Sequence, residues 1–134
     1  LKLLLMKFSD LCNIMEHVDN PVSYEKLSKL RNDIYTNPQK EWKVEEMARE
    51  TLISLSYFQH QYKNFFGVSM KKDLTIARME LAKHLLFSTD YGITSISRLC
   101  GYENEVHFMR MFKNYTGLTP TEYRKSSVIF SRKM

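Results

Sequence analysis

Two stretches of the chain concentrate side chains suited to gripping a polar, anionic partner. Residues 54–63 carry Ser54, Ser56, Tyr57, Gln59, His60 and Lys63, and residues 104–113 carry Asn104, Val106, His107, Arg110 and Lys113. An amide such as Gln59 presents donor and acceptor side by side and can pair bidentately with adenine, while the Arg110 guanidinium suits the O6/N7 edge of guanine. Val106 can rest on a thymine methyl, His60 can donate to guanine or to a phosphate, and His107 is open between base and phosphate. Lys63 and Lys113 suit phosphates, contacts that position without specifying sequence. Tyr57 either joins the base contacts or packs. Arg110 meets either DNA or a carboxylate such as Glu105, which itself either accepts from cytosine N4 or faces away. Catalysis finds no such set. His17, His60, His84 and His107 lack metal-ligand spacing with Cys or Asp, and there is no phosphate-cradling Gly-rich loop, nucleophile elbow or paired-carboxylate motif. The expectation is a non-enzyme with neither metal nor cofactor.

These residues need helices to present them, and helices are what the chain spells. Only 4 Gly and 3 Pro occur in 134 residues, and apolar residues recur at helical spacing, so the fold class is all-α. A helix over about 3–18 would align Leu4, Phe8, Leu11, Cys12, Met15 and Val18. The next runs from about Ser23 to Thr36, with Leu27, Leu30 and Ile34 inward, and stops before Pro38. A short helix near Val44–Glu50 and a longer one from Ser54 to Phe66 follow, with Gly67 as the stop. The longest helix is expected over Met70–Ser88, where Leu74, Ala77, Arg78, Leu81, Leu85 and Leu86 alternate with Lys, Glu and His. Short and long helices then return at Thr94–Leu99 and Asn104–Tyr115. A last short helix follows Thr119-Pro120, since proline suits a first helical position.

The second half repeats the first. At an offset of 50, Phe58 meets Phe108, Lys63 meets Lys113, Asn64 meets Asn114 and Gly67 meets Gly117. The apolar positions of the short helices match at 49, Val44 with Ile93 and Met47 with Ile96, so one residue is inserted near the second turn. Each copy reads as short helix, tight turn, longer helix, glycine. Ser54 and Asn104 are the expected N-caps, and Phe58, Tyr62, Phe108 and Phe112 the expected core. Solenoids of helix pairs need at least three units, so two copies on one long helix fit a bipartite reader better. The division is 1–22 N-terminal amphipathic helix and linker, 23–69 first helix-turn-helix subdomain, 70–89 connecting helix, 90–126 second subdomain and 127–134 tail. A net charge of +5 and a pI near 9.2 favour a polyanion.

The segment from Trp42 to Lys125 resembles the AraC/XylS-type DNA-binding domain. The motifs that carry the resemblance are WKVEEMARETLISLSYFQHQYKNFFGVS and ARMELAKHLLFSTDYGITSISRLCGYENEVHFMRMFKNYTGLTPTEYR, above all the series GY, HF, FK, G, TP and YR. The resemblance implies seven helices in two subdomains bridged by the Met70–Ser88 helix. It also implies sequence-specific binding of double-stranded DNA in transcription regulation, with Gln59, His60 and Arg110 leading the base contacts. IYTNPQKEW resembles linkers of response-regulator and sensory members. Two departures stand out. Leu52 takes the place that matches Gly101, where members often carry Gly or Asn, so that turn is expected to follow a different path. Ser97 stands where many carry Ala, and its hydroxyl is expected to bond a carbonyl one turn back.

Outside the resemblance, the apolar stripe of residues 3–18 could pack on the domain, self-associate into a homodimer, or end a helix from a missing sensor. The chain opens with Leu1, as an excised piece of something longer would. Lys2 and Lys7 are too few for a membrane-surface helix, and no apolar run approaches spanning length. Isolated Cys12 and Cys100 suit a reducing cytoplasm, with Cys100 buried. An alternative is a helical protein–protein adaptor without DNA binding. RNA polymerase is an expected partner under either reading.

Overall fold

The computed structural model describes residues 21–133 and side chains from 24 to 128. The expected helix over 3–18 and Cys12 lie outside the described residues, which form seven helices and no strand. They are α1 (Pro21–Thr36), α2 (Val44–Glu50), α3 (Leu55–Phe66), α4 (Met70–Ser88), α5 (Ile93–Leu99), α6 (Glu105–Thr116) and α7 (Pro120–Lys133). Helix α1 starts two residues before the expected Ser23, with Pro21 in its first turn, where a missing amide costs nothing. The last helix is not short. Its 14 residues run to Lys133, through the segment read as a tail.

Two separate cores hang on α4. The first gathers Leu27, Ile34, Met47, Ala48, Phe58, Tyr62, Met70 and Ala77. The second gathers Met79, Ala82, Leu86, Ile96, Cys100, Tyr102, Phe108 and Phe112. All four expected core aromatics are fully buried. Burial pushes the Cys100 thiol up to about 12, where it stays protonated and inert.

Helix α4 buries two faces. Its buried residues are Met70, Asp73, Ala77, Met79, Ala82 and Leu86. At about 100° per residue, the first three share one face and the last three a face about 180° away. The rod therefore serves one core with its first half and the other with the opposite side of its second half. Leu74, Leu81 and Leu85 are half-buried along the edge where the two faces meet.

Because α4 ends one unit and begins the next, local chemistry recurs across it. Ser69 Oγ caps α4 at Lys72 N, and Thr119 Oγ1 caps α7 at Glu122 N. From α4, Arg78 donates to Pro38 O and Lys40 O, both at 2.9 Å, just past α1. From α7, Arg124 donates to Leu86 O and Thr89 O, both at 3.2 Å, at the end of α4. The YR pair is thereby explained in packing terms: Arg124 clamps α4, and Tyr123 meets Phe112 edge-on at 5.4 Å.

Nothing in the sequence marks Asp73 as a fully buried carboxylate, which it is. It accepts from Arg31 Nε at 2.8 Å, Tyr35 Oη at 2.7 Å and Tyr62 Oη at 2.7 Å, tying α1 and α3 to α4. Burial alone would raise its pKa, but the hydrogen bonds from Arg31, Tyr62 and Tyr35 together outweigh burial and hold it below the usual carboxylate value. A depressed folded-state pKa gives stabilisation that is complete above the unfolded value, near 3.9, and lost as pH falls through the folded value. Asp73→Ala should cost about 3 kcal/mol, at the low end for a broken buried pair because Arg31 keeps contact with water. Urea unfolding between pH 7 and pH 2 should show a steep acid loss in the wild type and a shallower one in Asp73→Asn. Parallel acid limbs would contradict the role.

Candidate nucleic-acid interface

Each copy of the repeat builds a tight turn and then a capped helix, bond for bond. In the first, Thr51 N, Leu52 N and Ile53 N donate to Met47 O, Arg49 O and Ala48 O; in the second, Cys100 N, Gly101 N and Tyr102 N donate to Ile96 O, Arg98 O and Ser97 O. These bonds keep the offset of 49 through Tyr102. The caps, Ser54 and Asn104, are already at 50, so the inserted residue is Glu103. Ser54 Oγ accepts from Tyr57 N at 3.3 Å and Asn104 Oδ1 from His107 N at 3.1 Å. Both helices end on left-handed glycines, Gly67 at φ 78° and Gly117 at φ 84°.

With Phe58 and Tyr62, or Phe108 and Phe112, turned into a core, the remaining faces of α3 and α6 point outward. Ser54, Ser56, Gln59, His60 and Lys63 are exposed on the first copy. On the second, Asn104, His107, Arg110 and Lys113 are exposed, and Val106 is 59% exposed. Tyr57 is half-buried, and its hydroxyl accepts from the buried Gln61 Nε2. Gln61 is invisible to sequence reasoning, since nothing in its type marks it as inward. His60 Nε2 lies 3.2 Å from Asn64 Nδ2. The His107 ring meets Tyr102 edge-on at 5.5 Å. Glu105 is not paired with Arg110: its Oε2 accepts from Thr94 Oγ1 at 2.7 Å, joining α5 to α6. Among the described residues no carboxylate forms an ion pair with Arg110.

What this arrangement can do is hold two polar, partly basic faces at the starts of two rigidly seated helices. A helix-turn-helix family model matches residues 47–126, more than half of the chain. The chain belongs to the AraC-type helix-turn-helix family. An uncharacterized HTH-type transcriptional regulator of Haemophilus influenzae is 34% identical over 93 residues, covering 69% of this chain and 31% of that protein. The lactose operon transcription activator of Staphylococcus xylosus is 36% identical over 91 residues, covering 68% and 33%. The chain thus spans about a third of these relatives. Among solved structures, the C-terminal domain of AraT, a response regulator from Geobacillus stearothermophilus, superposes with a TM-score of 0.70 at 30% identity, covering 75% of this chain and 84% of that one. A DNA-binding transcriptional dual regulator from Escherichia coli K-12 gives 0.66 at 30% identity, covering 77% and 92%.

Both departures from the AraC-type pattern resolve differently from expectation. Leu52 does not reroute its turn. It adopts φ 60°, the left-handed conformation of Gly101 at φ 90°, and its side chain is 86% exposed. The strain is accepted because the backbone bonds above require that path. Ser97 Oγ does not bond back one turn. It reaches forward to Tyr102 O at 3.4 Å, across the turn that its own carbonyl closes. Relieving the left-handed leucine should stabilise the fold: Leu52→Asn is expected to raise unfolding free energy by about 1 kcal/mol, read by chemical denaturation. A loss of stability would mean that the Leu52 side chain has a packing role.

Proposed function

We propose that this chain is the DNA-reading module of a transcription regulator, binding double-stranded DNA sequence-specifically through α3 and α6. The observation that carries the reading is the duplicated, N-capped helix with an exposed polar face, mounted twice on α4. Two such helices can enter successive major-groove segments on one face of the duplex, about 34 Å apart, so a monomer reads what usually takes a dimer. Where α4 holds that spacing tighter than straight B-DNA, the duplex bends.

Gln59, His60 and Ser56 on α3, and Val106, His107 and Arg110 on α6, are the base readers in this proposal. Tyr57 lies at their margin, held by Gln61. Lys63 and Lys113 take phosphates, as do the amide-rich starts of the helices at Ser54 and Asn104. The Escherichia coli dual regulator, DNA-binding by its own description, and the formal charge of +5 support the partner assigned. Such a module works at the nucleoid in the cytoplasm, beside RNA polymerase. Sequence outside the matched third of the relatives would sense the signal, and the apolar stripe of residues 3–18 would pair two chains.

Selection from a random duplex pool should recover a discrete site, and affinity for it should fall steeply with salt. A flat salt response would favour the protein–protein adaptor. On that site Arg110→Ala should cost about 1–3 kcal/mol and relax preference at one base position, whereas Lys113→Ala should weaken every sequence alike and flatten the salt slope by about 1. Equal losses on all sequences for Arg110→Ala would contradict its role. Light scattering should give about twice the mass of one chain for the full sequence and the mass of one chain when residues 1–20 are removed; single-chain masses for both would rule out pairing through that stripe.

A further inference from the structure

We infer that Arg78 is a positioning residue that locks the two helix-turn-helix units against each other and so sets which spacing of DNA segments the chain accepts. The inference rests on the two-segment reading proposed above. Arg78 sits at the middle of α4, between the buried residues of the two cores. Its Nε donates to Pro38 O and its terminal nitrogen to Lys40 O, each at 2.9 Å. Both carbonyls belong to the loop that feeds α2. On the other side its guanidinium carbon lies 5.3 Å from the centroid of the Tyr102 ring, in the second core. The guanidinium suits this dual use: it donates two directed bonds while its charge lies over the aromatic ring.

Gly101 shows how closely the units meet there. A Cβ at this position would lie 3.1 Å from Arg78 Nε, 3.1 Å from its terminal nitrogen and 3.1 Å from Gln39 O. Loop 38–40 of the first unit thus abuts the turn of the second, with Arg78 against both. Leu52, at the equivalent turn of the first unit, faces solvent. A side chain at the first left-handed turn meets solvent, whereas a Cβ at the second would press on Arg78 and on Gln39 O. Around this contact the units are separated by a cleft of about 620 Å³ lined by Lys40, Trp42 and Lys43 from one and Arg98 and Glu103 from the other. The tied segments feed directly into α2–α3 and α6, so a slip at Arg78 moves one reading helix relative to the other.

Arg124 supplies a matched control, since its clamp on Leu86 O and Thr89 O lies within the second unit. The full chain would be assayed on the duplex recovered by selection and on versions with one base pair added or removed between the two contacted segments. Wild type should discriminate strongly against both altered spacings. Arg78→Lys keeps the charge and loses the fork, and should reduce that discrimination about tenfold, equivalent to about 1.4 kcal/mol. Arg124→Lys should lower the melting temperature and leave the discrimination unchanged. Should Arg78→Lys fail to fold, Gly101→Ala, which crowds the same contact, should flatten the profile instead. Unchanged discrimination in the folded Arg78 variant, or an equal loss in Arg124→Lys, overturns the inference while leaving two-segment reading intact. A wild type indifferent to spacing defeats the two-segment reading, and the inference with it.

Discussion

One helix has to be an interior element for two cores at once, and the rest of the molecule follows from how α4 meets that demand. Its first half buries Met70, Asp73 and Ala77, and its second half buries Met79, Ala82 and Leu86 on the far side. A helix is stiff over about 28 Å, the length of 19 residues at 1.5 Å each. Units gripping opposite faces therefore cannot drift along it without giving up burial. Each unit also packs a further helix beside the rod, α1 in one case and α7 in the other, and an arginine clamps each pair at free carbonyls. Those carbonyls lie at or beyond helix ends, where no intrahelical partner exists. The clamps thus satisfy groups that would otherwise be left to water.

The two units share a backbone plan and differ in what fills it. Tyr62 and Asp73 form a hydrogen bond across the first core. At the positions 50 residues on, Phe112 and Tyr123 form an edge-on ring pair. A buried carboxylate is tolerated only because four donor groups converge on it from Arg31, Tyr35 and Tyr62. Arg31 in turn lies 4.8 Å from the centre of the Phe66 ring. Such a network is directional in a way that aromatic packing is not, so it fixes the rotation of α1 about α4 as well as its distance. The first unit is therefore the more specified of the two, at the cost of acid sensitivity.

How much of this is legible in the sequence depends on the kind of signal. Local signals survive intact: Ser54 and Asn104 cap their helices, Gly67 and Gly117 end them, and the repeated phenylalanines are core. Long-range pairings are not legible. Asp73 looks like a first-turn acid, and nothing near it announces partners 11 to 42 residues away. The two buried faces of α4 are illegible for a related reason. Two buried faces on opposite sides merge along their shared edge, where Leu74, Leu81 and Leu85 sit, and periodicity alone finds the edge. Residue preference misleads at Leu52 because backbone bonding decides that turn. Three turn hydrogen bonds outweigh about 1 kcal/mol of left-handed strain.

The outward faces obey a different economy from the scaffold, and this ranks their residues. A side chain that already has an intramolecular partner must exchange it to touch DNA, so its net gain is the difference between two hydrogen bonds. His60 beside Asn64 and Glu105 beneath Thr94 are in that position. The buried partner of Tyr57, Gln61, would lose its acceptor if that hydroxyl turned outward. Arg110 forms no ion pair among the described residues, and its guanidinium loses only water on meeting guanine. A charge-assisted bidentate pair that forms without breaking another bond is stronger than any other single interaction open to either face. Sequence discrimination should therefore centre on the segment read by α6. In the proposed reading the α3 segment would contribute through Gln59, with the imidazole of His60 adding the exchange difference alone.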